Sequence, residues 1–228
     1  MNTNKTNLSK TFDEALCYAA EAHRLQTRKS TASPGAESGA PEIPYLGHLL
    51  GAASIVIDAG GSEEEAIAAL LHDAAEDQGG EPRLADIAAT FGKRVAEIVR
   101  GCSDALTENP HAKPPWRARK ERYIAHLKSS ADVSIHLVSA ADKCNNARTT
   151  ARDLAFAADP AQVWSKFNPA AGPDGTLWYY RSLIAAYRAG PRDDRRELIV
   201  SDLSQAVDEM AALTALHRAG VREVEDPF

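Results

Sequence analysis

The chain has 228 residues with a formal net charge of -6 at pH 7, and 44% of its residues are hydrophobic. This length and apolar fraction suffice for the core of a single domain over 1–228. The negative charge argues against a broad nucleic-acid surface. The polar start MNTNKTNLSK has no apolar stretch of the signal-peptide kind, and no apolar run is long enough to cross a bilayer. We therefore expect a cytoplasmic protein with neither a nucleic-acid nor a membrane partner.

Alanine is abundant, aromatic residues make up 6% of the chain, and β-branched residues do not alternate along it. This balance favours helices over sheet. The three cysteines, Cys17, Cys102 and Cys144, lie far apart and form no CxxC pair. They predict neither a thiolate zinc site nor a disulfide framework, in keeping with reduced thiols in the cytoplasm.

The spacing of apolar residues predicts helices along most of the chain. A loop rich in Ser, Gly and Pro separates the first two helices at about 30–44, and Ser62 begins a capping box that opens a third helix, which Gly79 ends. Three prolines predict a second loop at 104–115. The predicted helices cover 9–28, 46–59, 62–78, two stretches within 83–102 that meet near Gly92, 117–128, 132–152, 176–189 and 194–218. We expect an all-α fold, a compact helical bundle with its core over about 9–190.

The third predicted helix carries the block LLHDAAED at 70–77, in which one histidine and three carboxylates follow an apolar start. A spacing of four residues pairs His72 with Glu76 and Asp73 with Asp77 on adjacent faces of a helix. Carboxylates this close would not all stay ionised without a counter-charge, which a divalent cation supplies. The block by itself leaves two interpretations open, a metal site and an ordinary His-Asp surface pair.

Two further residues could complete a metal site. His48 follows the first loop in PYLGHLL, and Asp142 lies in SAADKCNN, an apolar helical run where an unpaired charge would be costly. Each also has an ordinary interpretation, as a satisfied structural histidine and as a surface ion pair. With His72 and Asp73 they offer two imidazoles and two carboxylates, a set that suits Mn²⁺, Fe²⁺ or Zn²⁺ better than Ca²⁺.

The order H…HD…D resembles the signature of HD-domain phosphohydrolases. The segments AHRLQTRKS, PYLGH, LLHDAAED, FGKRVAEIV and ADKCNNART also look like the ordered motifs of the RelA/SpoT-type hydrolase domain, specifically the stand-alone small alarmone hydrolases. The resemblance covers about residues 10–190, and the ED after the HD is its most specific part. It implies Mn²⁺-dependent hydrolysis of a small nucleotide of the stringent response: the 3′-pyrophosphate of ppGpp or pppGpp is removed to give GDP or GTP and pyrophosphate.

The resemblance also implies roles for particular residues of this chain. One Mn²⁺ would be bound by two histidines and two aspartates, His48, His72, Asp73 and Asp142. The attacking water would be positioned and activated by the catalytic pair, Glu76 and Asp77. The ribose and a nearby phosphate would be held by Asn146 and Thr149, and the guanine base would be met by the segment Arg28, Lys29 and Ser30.

The chain departs from the family pattern near the substrate positions. Residues 31–43 look inserted after the RK segment, which could re-aim Arg28 or cover the site. Asn145 stands where an aromatic residue or histidine is frequent, which could alter the nucleotide preference. A basic cluster at 117–122 could reach the phosphates, although we expect at least half of it to be a solvated helix face. His23 and the aromatic residues at 178–180 are expected to be structural.

Two other interpretations stay open. The same site could act on a pppApp-type alarmone or on a phosphate of NADPH, because arginine stacking discriminates weakly between purines. A regulatory module with a vestigial site would be marked by the loss of Glu76, Asp77 or a metal ligand, and none of these is lost. An oligomer is possible but is not indicated by the sequence.

Overall fold

A computed structural model describes residues 8–28, 43–106 and 114–225, with side chains as far as His217. Within these ranges the chain forms helices and one isolated β-bridge, between Thr27 and Pro44. The helices are α1 (Lys10–Ala22), α2 (Leu46–Asp58), α3 (Glu63–Leu71), α4 (Ala74–Asp77), α5 (Gly80–Phe91), α6 (Lys93–Cys102), α7 (Trp116–Ser129), α8 (Val133–Phe156), α9 (Pro160–Trp164), α10 (Gly172–Ala189) and α11 (Asp194–Glu225). The prediction of an all-α fold is confirmed.

Helix α8 lies at the centre of the bundle. It packs against α2, α3, α6, α10 and α11. All residues from Ser134 to Asp142 are buried, so this half of the helix is surrounded on every side. Asp142 ends this buried run, and its carboxylate therefore needs polar or charged partners.

The predicted third helix is not continuous, and this part of the prediction was wrong. Ser62 does cap α3 through a capping box with Glu65, but α3 ends at Leu71 and α4 begins only at Ala74. Between them, His72 and Asp73 form a turn. Successive side chains of a regular helix point about 100° apart. The turn instead lets two adjacent side chains face the same point.

Other helix boundaries also differ from those that periodicity predicts. Helix α1 ends at Ala22 rather than near 28, because the residues that follow pair with the chain at Pro44. The short helix α9 was not predicted, although Asp159 caps it and a proline occupies its first turn. Gly92 separates α5 from α6 as predicted, with a φ of 94° that favours glycine.

The two predicted loops, 30–44 and 104–115, lie mostly outside the described residues. None of the described helices combines the length and the apolar character needed to span a membrane.

Candidate active site

The four predicted metal ligands meet where α2, α8 and the turn after α3 come together. The Nε2 atoms of His48 and His72 are 3.2 Å apart. Asp73 Oδ2 lies 3.0 Å from Nε2 of His72 and 3.5 Å from Nε2 of His48. Asp142 Oδ1 lies 3.3 Å from Nε2 of His48 and 3.6 Å from Nε2 of His72. The structure thus brings together four groups that are far apart in sequence.

This donor set fits a divalent cation. The ligand atoms of His48, His72 and Asp73 all lie within 4.8 Å of one another, and Asp142 joins them through its distances to the two imidazoles. The two histidines are each 1% exposed and Asp142 is 4% exposed, whereas the side chain of Asp73 is 21% exposed, so the cluster is buried on three sides and accessible on the side of Asp73. Two imidazole nitrogens and two carboxylate oxygens suit a first-row transition metal.

Neighbouring groups hold the predicted ligands in place. Nδ1 of His72 lies 2.8 Å from the carbonyl oxygen of Ala69. A carbonyl only accepts, so this contact places the proton on Nδ1 and leaves the lone pair of Nε2 for an ion. The hydroxyl of Tyr45 donates to Asp73 Oδ2 at 2.5 Å. Sequence reasoning missed Tyr45, although its position three residues before His48 on one helix face is a usable signal.

Asp142 is held ionised by Lys143 on its own helix and by His72. Burial alone would raise the pKa of this carboxyl, but Lys143 and His72 outweigh burial and keep the pKa well below its usual range. The Lys143 ammonium is hydrogen-bonded to Asp142 Oδ2, and the Asn146 amide donates to Oδ1 at 2.6 Å. Lys143 was also missed, because its partly buried position at the cavity follows from the position of α8 in the bundle.

The two carboxylates of the predicted catalytic pair lie on the short helix α4 and line one cavity. Glu76 Oε2 accepts a hydrogen bond from the backbone nitrogen of Asp104 at 2.9 Å. Asp77 Oδ2 accepts one from the side-chain amide of Gln26 at 2.9 Å. Two different segments of the chain therefore orient the two carboxylates.

The cavity has a volume of about 590 Å³, and Tyr45, Glu76 and Asn146 are among the residues that line it. Six positively charged side chains line it, namely Arg28, Arg119, Lys120, Lys143, Arg152 and Lys166. A cleft of this size with several cations suits a small molecule that carries several phosphates.

Three of the predicted substrate residues meet at one wall of this cavity. Nη1 of Arg28 lies 3.4 Å from Thr149 Oγ1, and Nη2 lies 3.4 Å from Asn146 Oδ1. The backbone nitrogen of Arg28 donates to the carbonyl of Ile43 at 2.8 Å, which fixes the segment at the rim. The other two predicted base-binding residues, Lys29 and Ser30, lie outside the described residues.

The sequence model of the HD domain matches residues 15–176 of this chain. The chain belongs to the HD domain family.

The chain is similar in sequence to several known proteins. The Xenopus tropicalis protein named guanosine-3′,5′-bis(diphosphate) 3′-pyrophosphohydrolase MESH1 is 34% identical over 142 residues, which cover 61% of this chain and 69% of MESH1. A Synechocystis protein named as a probable enzyme of the same kind is 30% identical over 135 residues, 59% of this chain but 16% of the longer protein.

A solved structure agrees with these matches. It is that of a metazoan ortholog of SpoT that hydrolyzes ppGpp, with a TM-score of 0.62, 25% identity, and coverage of 88% of this chain and 97% of the other. The predicted resemblance to RelA/SpoT-type HD proteins is thereby confirmed.

The basic cluster at 117–122 lies partly in the cavity and partly on the protein surface, as expected. Arg119 and Lys120 point into the cavity and bind the carboxylate of Asp104 at 2.5 and 2.6 Å. Arg117 is exposed, stacks over Trp178 and pairs with the surface Glu121. Arg122 is exposed as well, so two of the four cationic residues lie on the surface and two line the cavity.

Two of the aromatic residues expected to be structural also border the cavity. Tyr179 and Tyr180 are buried, as anchors of α10 should be, and both also line the cavity. His23 is buried and stacks on Tyr45 with ring centroids 5.3 Å apart, so it supports the ligand cluster from behind.

Proposed function

We propose that this protein is a Mn²⁺-dependent hydrolase that removes the 3′-pyrophosphate from ppGpp or pppGpp, giving GDP or GTP and pyrophosphate. One observation carries the proposal: the convergent cluster of two histidines and two aspartates lies beside a carboxylate pair and a cation-lined cavity. The names of the MESH1 and Synechocystis relatives support the choice of substrate.

The ligand residues are His48, His72, Asp73 and Asp142. A divalent cation bound there supplies a Lewis acid for a phosphoryl oxygen and lowers the pKa of a water molecule. Water adds to the phosphorus bonded to the ribose 3′ oxygen, the bond between them breaks, and the 3′ oxygen takes up a proton. Glu76 and Asp77 face this cavity and would orient the water and receive its proton.

The remaining residues of the cavity would bind the rest of the nucleotide. Asn146 and Thr149, which lie together on α8, suit the hydroxyl and phosphate of the ribose. Arg119 and Lys120 offer charge-assisted hydrogen bonds to phosphate oxygens. Arg28 presents a planar guanidinium that can stack on a purine base, together with Lys29 and Ser30.

Adenine nucleotides are the second candidate substrates. Among the described residues, Arg28 is the one proposed to bind the base, and a stacked guanidinium recognises a purine ring rather than its substituents. The substrate alternatives are pppApp-type alarmones and the 2′-phosphate of NADPH. Both carry a phosphorylated ribose that the same ligand cluster could reach.

A hydrolysis panel tests the proposal. The purified protein with Mn²⁺ should release pyrophosphate from ppGpp and pppGpp, with GDP and GTP identified as the other products. The same panel with pppApp and NADPH compares kcat/KM between substrate classes. If Mn²⁺ is demonstrably bound and neither guanine alarmone is hydrolysed, the proposal is wrong. A preference for an adenine substrate would keep the site and change the substrate.

A further inference from the structure

The cavity follows one face of α8, away from the proposed metal site. Asp142 lies at the metal end of this face, and Asn146, Thr149 and Asp153 follow it at spacings of three or four residues. Asn146, Thr149 and Asp153 all line the cavity. Because each residue adds about 1.5 Å along a helix axis, Asp153 lies ~16 Å along α8 from Asp142. The cavity therefore has a reacting end near Asp142 and a far end at Asp153.

Four of the six cations that line the cavity form two pairs, and the first pair is at the reacting end. Arg119 and Lys120 there share the carboxylate of Asp104. The backbone nitrogen of Asp104 donates to Glu76, so this pair lies beside the proposed catalytic carboxylates. Two cations that share one carboxylate leave one positive charge in excess. That charge suits a phosphate group bound at the reacting end.

The second pair, Arg152 and Lys166, is at the far end of the cavity. The Nζ atom of Lys166 lies 3.0 Å from Asp153 Oδ2, and Nη2 of Arg152 lies 3.7 Å from Asp153 Oδ1. All three side chains line the cavity. Two cations again share one carboxylate, so the far end also carries one positive charge in excess. The two ends of the cavity are therefore matched to a molecule with an anionic group at each end.

The short helix α9 positions Lys166 at the cavity wall. Val163 and Trp164 are buried where α9 packs against α8, and the backbone nitrogen of Lys166 donates to the carbonyl of Val163 at 3.3 Å. The side chain of Lys166 is 11% exposed, whereas that of Arg152 is 66% exposed. A surface lysine usually keeps its charged head in water. Lys166 instead holds its ammonium group inside the cavity, and Arg152 lies at the rim.

A nucleotide of the proposed substrate class carries phosphates on both sides of its ribose. With the 3′-pyrophosphate at the metal site and the ribose beside Asn146 and Thr149, the 5′ phosphates would extend along α8 towards Asp153. We propose that Lys166, with Arg152 at the rim, binds the 5′ phosphates and makes them a determinant of nucleotide affinity. The proposal rests on the proposed function and deepens it, because it assigns a site to the phosphates that do not react.

Titration calorimetry of the full chain tests this proposal with two nucleotides, ppGpp and guanosine 3′-diphosphate, which lacks 5′ phosphates. All proteins carry Glu76→Gln and are measured with Mn²⁺, so that the nucleotide is bound but not consumed. Three changes are compared in this background. Lys166→Gln removes the ammonium group, the double change Lys166→Gln/Asp153→Asn removes both charges and keeps the net charge, and Lys128→Gln alters an exposed lysine of α7 as a matched control. Circular dichroism confirms folding.

We expect Lys166→Gln to weaken ppGpp binding by about tenfold, at the lower end of what a hydrogen bond between charged groups contributes. Binding of guanosine 3′-diphosphate should change by less than about threefold, because salt screens a charge at the far end. The double change should weaken ppGpp binding as Lys166→Gln does, and Lys128→Gln should have no effect.

Three results would overturn the proposal. In the first, Lys166→Gln binds ppGpp as tightly as the background protein. In the second, Lys166→Gln weakens both nucleotides equally, which would place its contact on the 3′-pyrophosphate. In the third, the double change restores full affinity for ppGpp, which would show that the net charge of the cavity matters and the contact with Lys166 does not.

Because the readout is binding, this result is separate from the hydrolysis panel. A chain that binds ppGpp in a Lys166-dependent way, but whose wild type does not hydrolyse it, would contradict the proposed activity and leave the 5′-phosphate site intact. An active wild type whose nucleotide affinity ignores Lys166 would do the reverse. A chain that binds neither nucleotide would overturn both.

Discussion

Helix α3 has a buried polar cluster at each end, and the two clusters are built in opposite ways. At its first turn, Glu65 is 4% exposed and its carboxylate accepts from three donors. They are the backbone nitrogen of Ser62 at 2.7 Å, the hydroxyl of Ser134 at 2.8 Å and the guanidinium of Arg195 at 2.9 Å. At the other end, His72 and Asp73 face His48 and Asp142, and four groups with ligand lone pairs point at one another.

We interpret the first cluster as structural and the second as the proposed metal site, because of this difference. In the Glu65 cluster, hydrogen-bond donors surround one acceptor group and satisfy it. Two of the donors, Ser134 and Arg195, belong to α8 and α11, so the cluster connects α3 to those helices. In the second cluster the acceptor atoms face one another, and a cation bound between them would supply the positive charge that they share. Removing a group from the first cluster should therefore reduce stability, whereas removing one from the second should reduce binding and catalysis.

The largest expected effect is at Glu76 on α4, the helix that directly follows the proposed metal site. Glu76→Gln keeps the shape of the side chain and its contact with the backbone of Asp104, but removes the base. We expect kcat for ppGpp to fall by about a thousandfold, within the range for loss of a general base, with Mn²⁺ affinity changed by less than about threefold. Glu121→Gln, on the surface of α7, is the matched control and should be fully active. Near-normal turnover of Glu76→Gln would show that the assigned role is wrong.

The second expected effect concerns the ligands themselves. Asp73→Asn retains a partner for the hydroxyl of Tyr45 but loses the charge that faces the two imidazoles. Mn²⁺ affinity should fall by more than about a hundredfold, beyond what loss of an outer group causes. Saturating Mn²⁺ at about 100 times Kd should stabilise the wild type by about 2.7 kcal/mol and leave the variant almost unchanged. Equal Mn²⁺-induced shifts in Tm would exclude Asp73 as a ligand.

The third prediction moves to the other end of α3. Glu65→Ala removes the capping box and the partner of Arg195 across the helix interface, so that Arg195 keeps only its pair with Asp193. Breaking a largely buried pair should lower the free energy of unfolding by about 3 kcal/mol. For a chain of this size this corresponds to a fall in Tm of roughly 10 °C. Mn²⁺ affinity and kcat of the folded fraction should match wild type. A loss of Mn²⁺ binding without loss of Tm would contradict the division between the two clusters.

The same contrast shows what sequence could and could not predict. The helices and the capping box at Ser62 follow from periodicity and local signals, and the four predicted ligands follow from side-chain chemistry and motif order. The turn at His72-Asp73 was not predicted, because both residues keep helical dihedral angles and neither glycine nor proline marks the break in the sequence. The partly buried position of Lys143 and the contact of Asn145 with His48 depend on how α8 packs in the bundle. Tertiary packing of this kind leaves no local pattern.

The smallest expected effect lies at the rim of the cavity, where Arg28 contacts Thr149 and Asn146 at 3.4 Å. Arg28→Lys keeps the positive charge but removes the planar group that could stack on a purine and donate to both residues. We expect KM for ppGpp to rise by about tenfold, the equivalent of about 1.4 kcal/mol, with kcat and Mn²⁺ affinity close to wild type. Arg148→Lys, on the exposed face of α8, is the control. If kcat falls instead while KM is unchanged, Arg28 acts on the reacting phosphate, and the base must be bound by other residues.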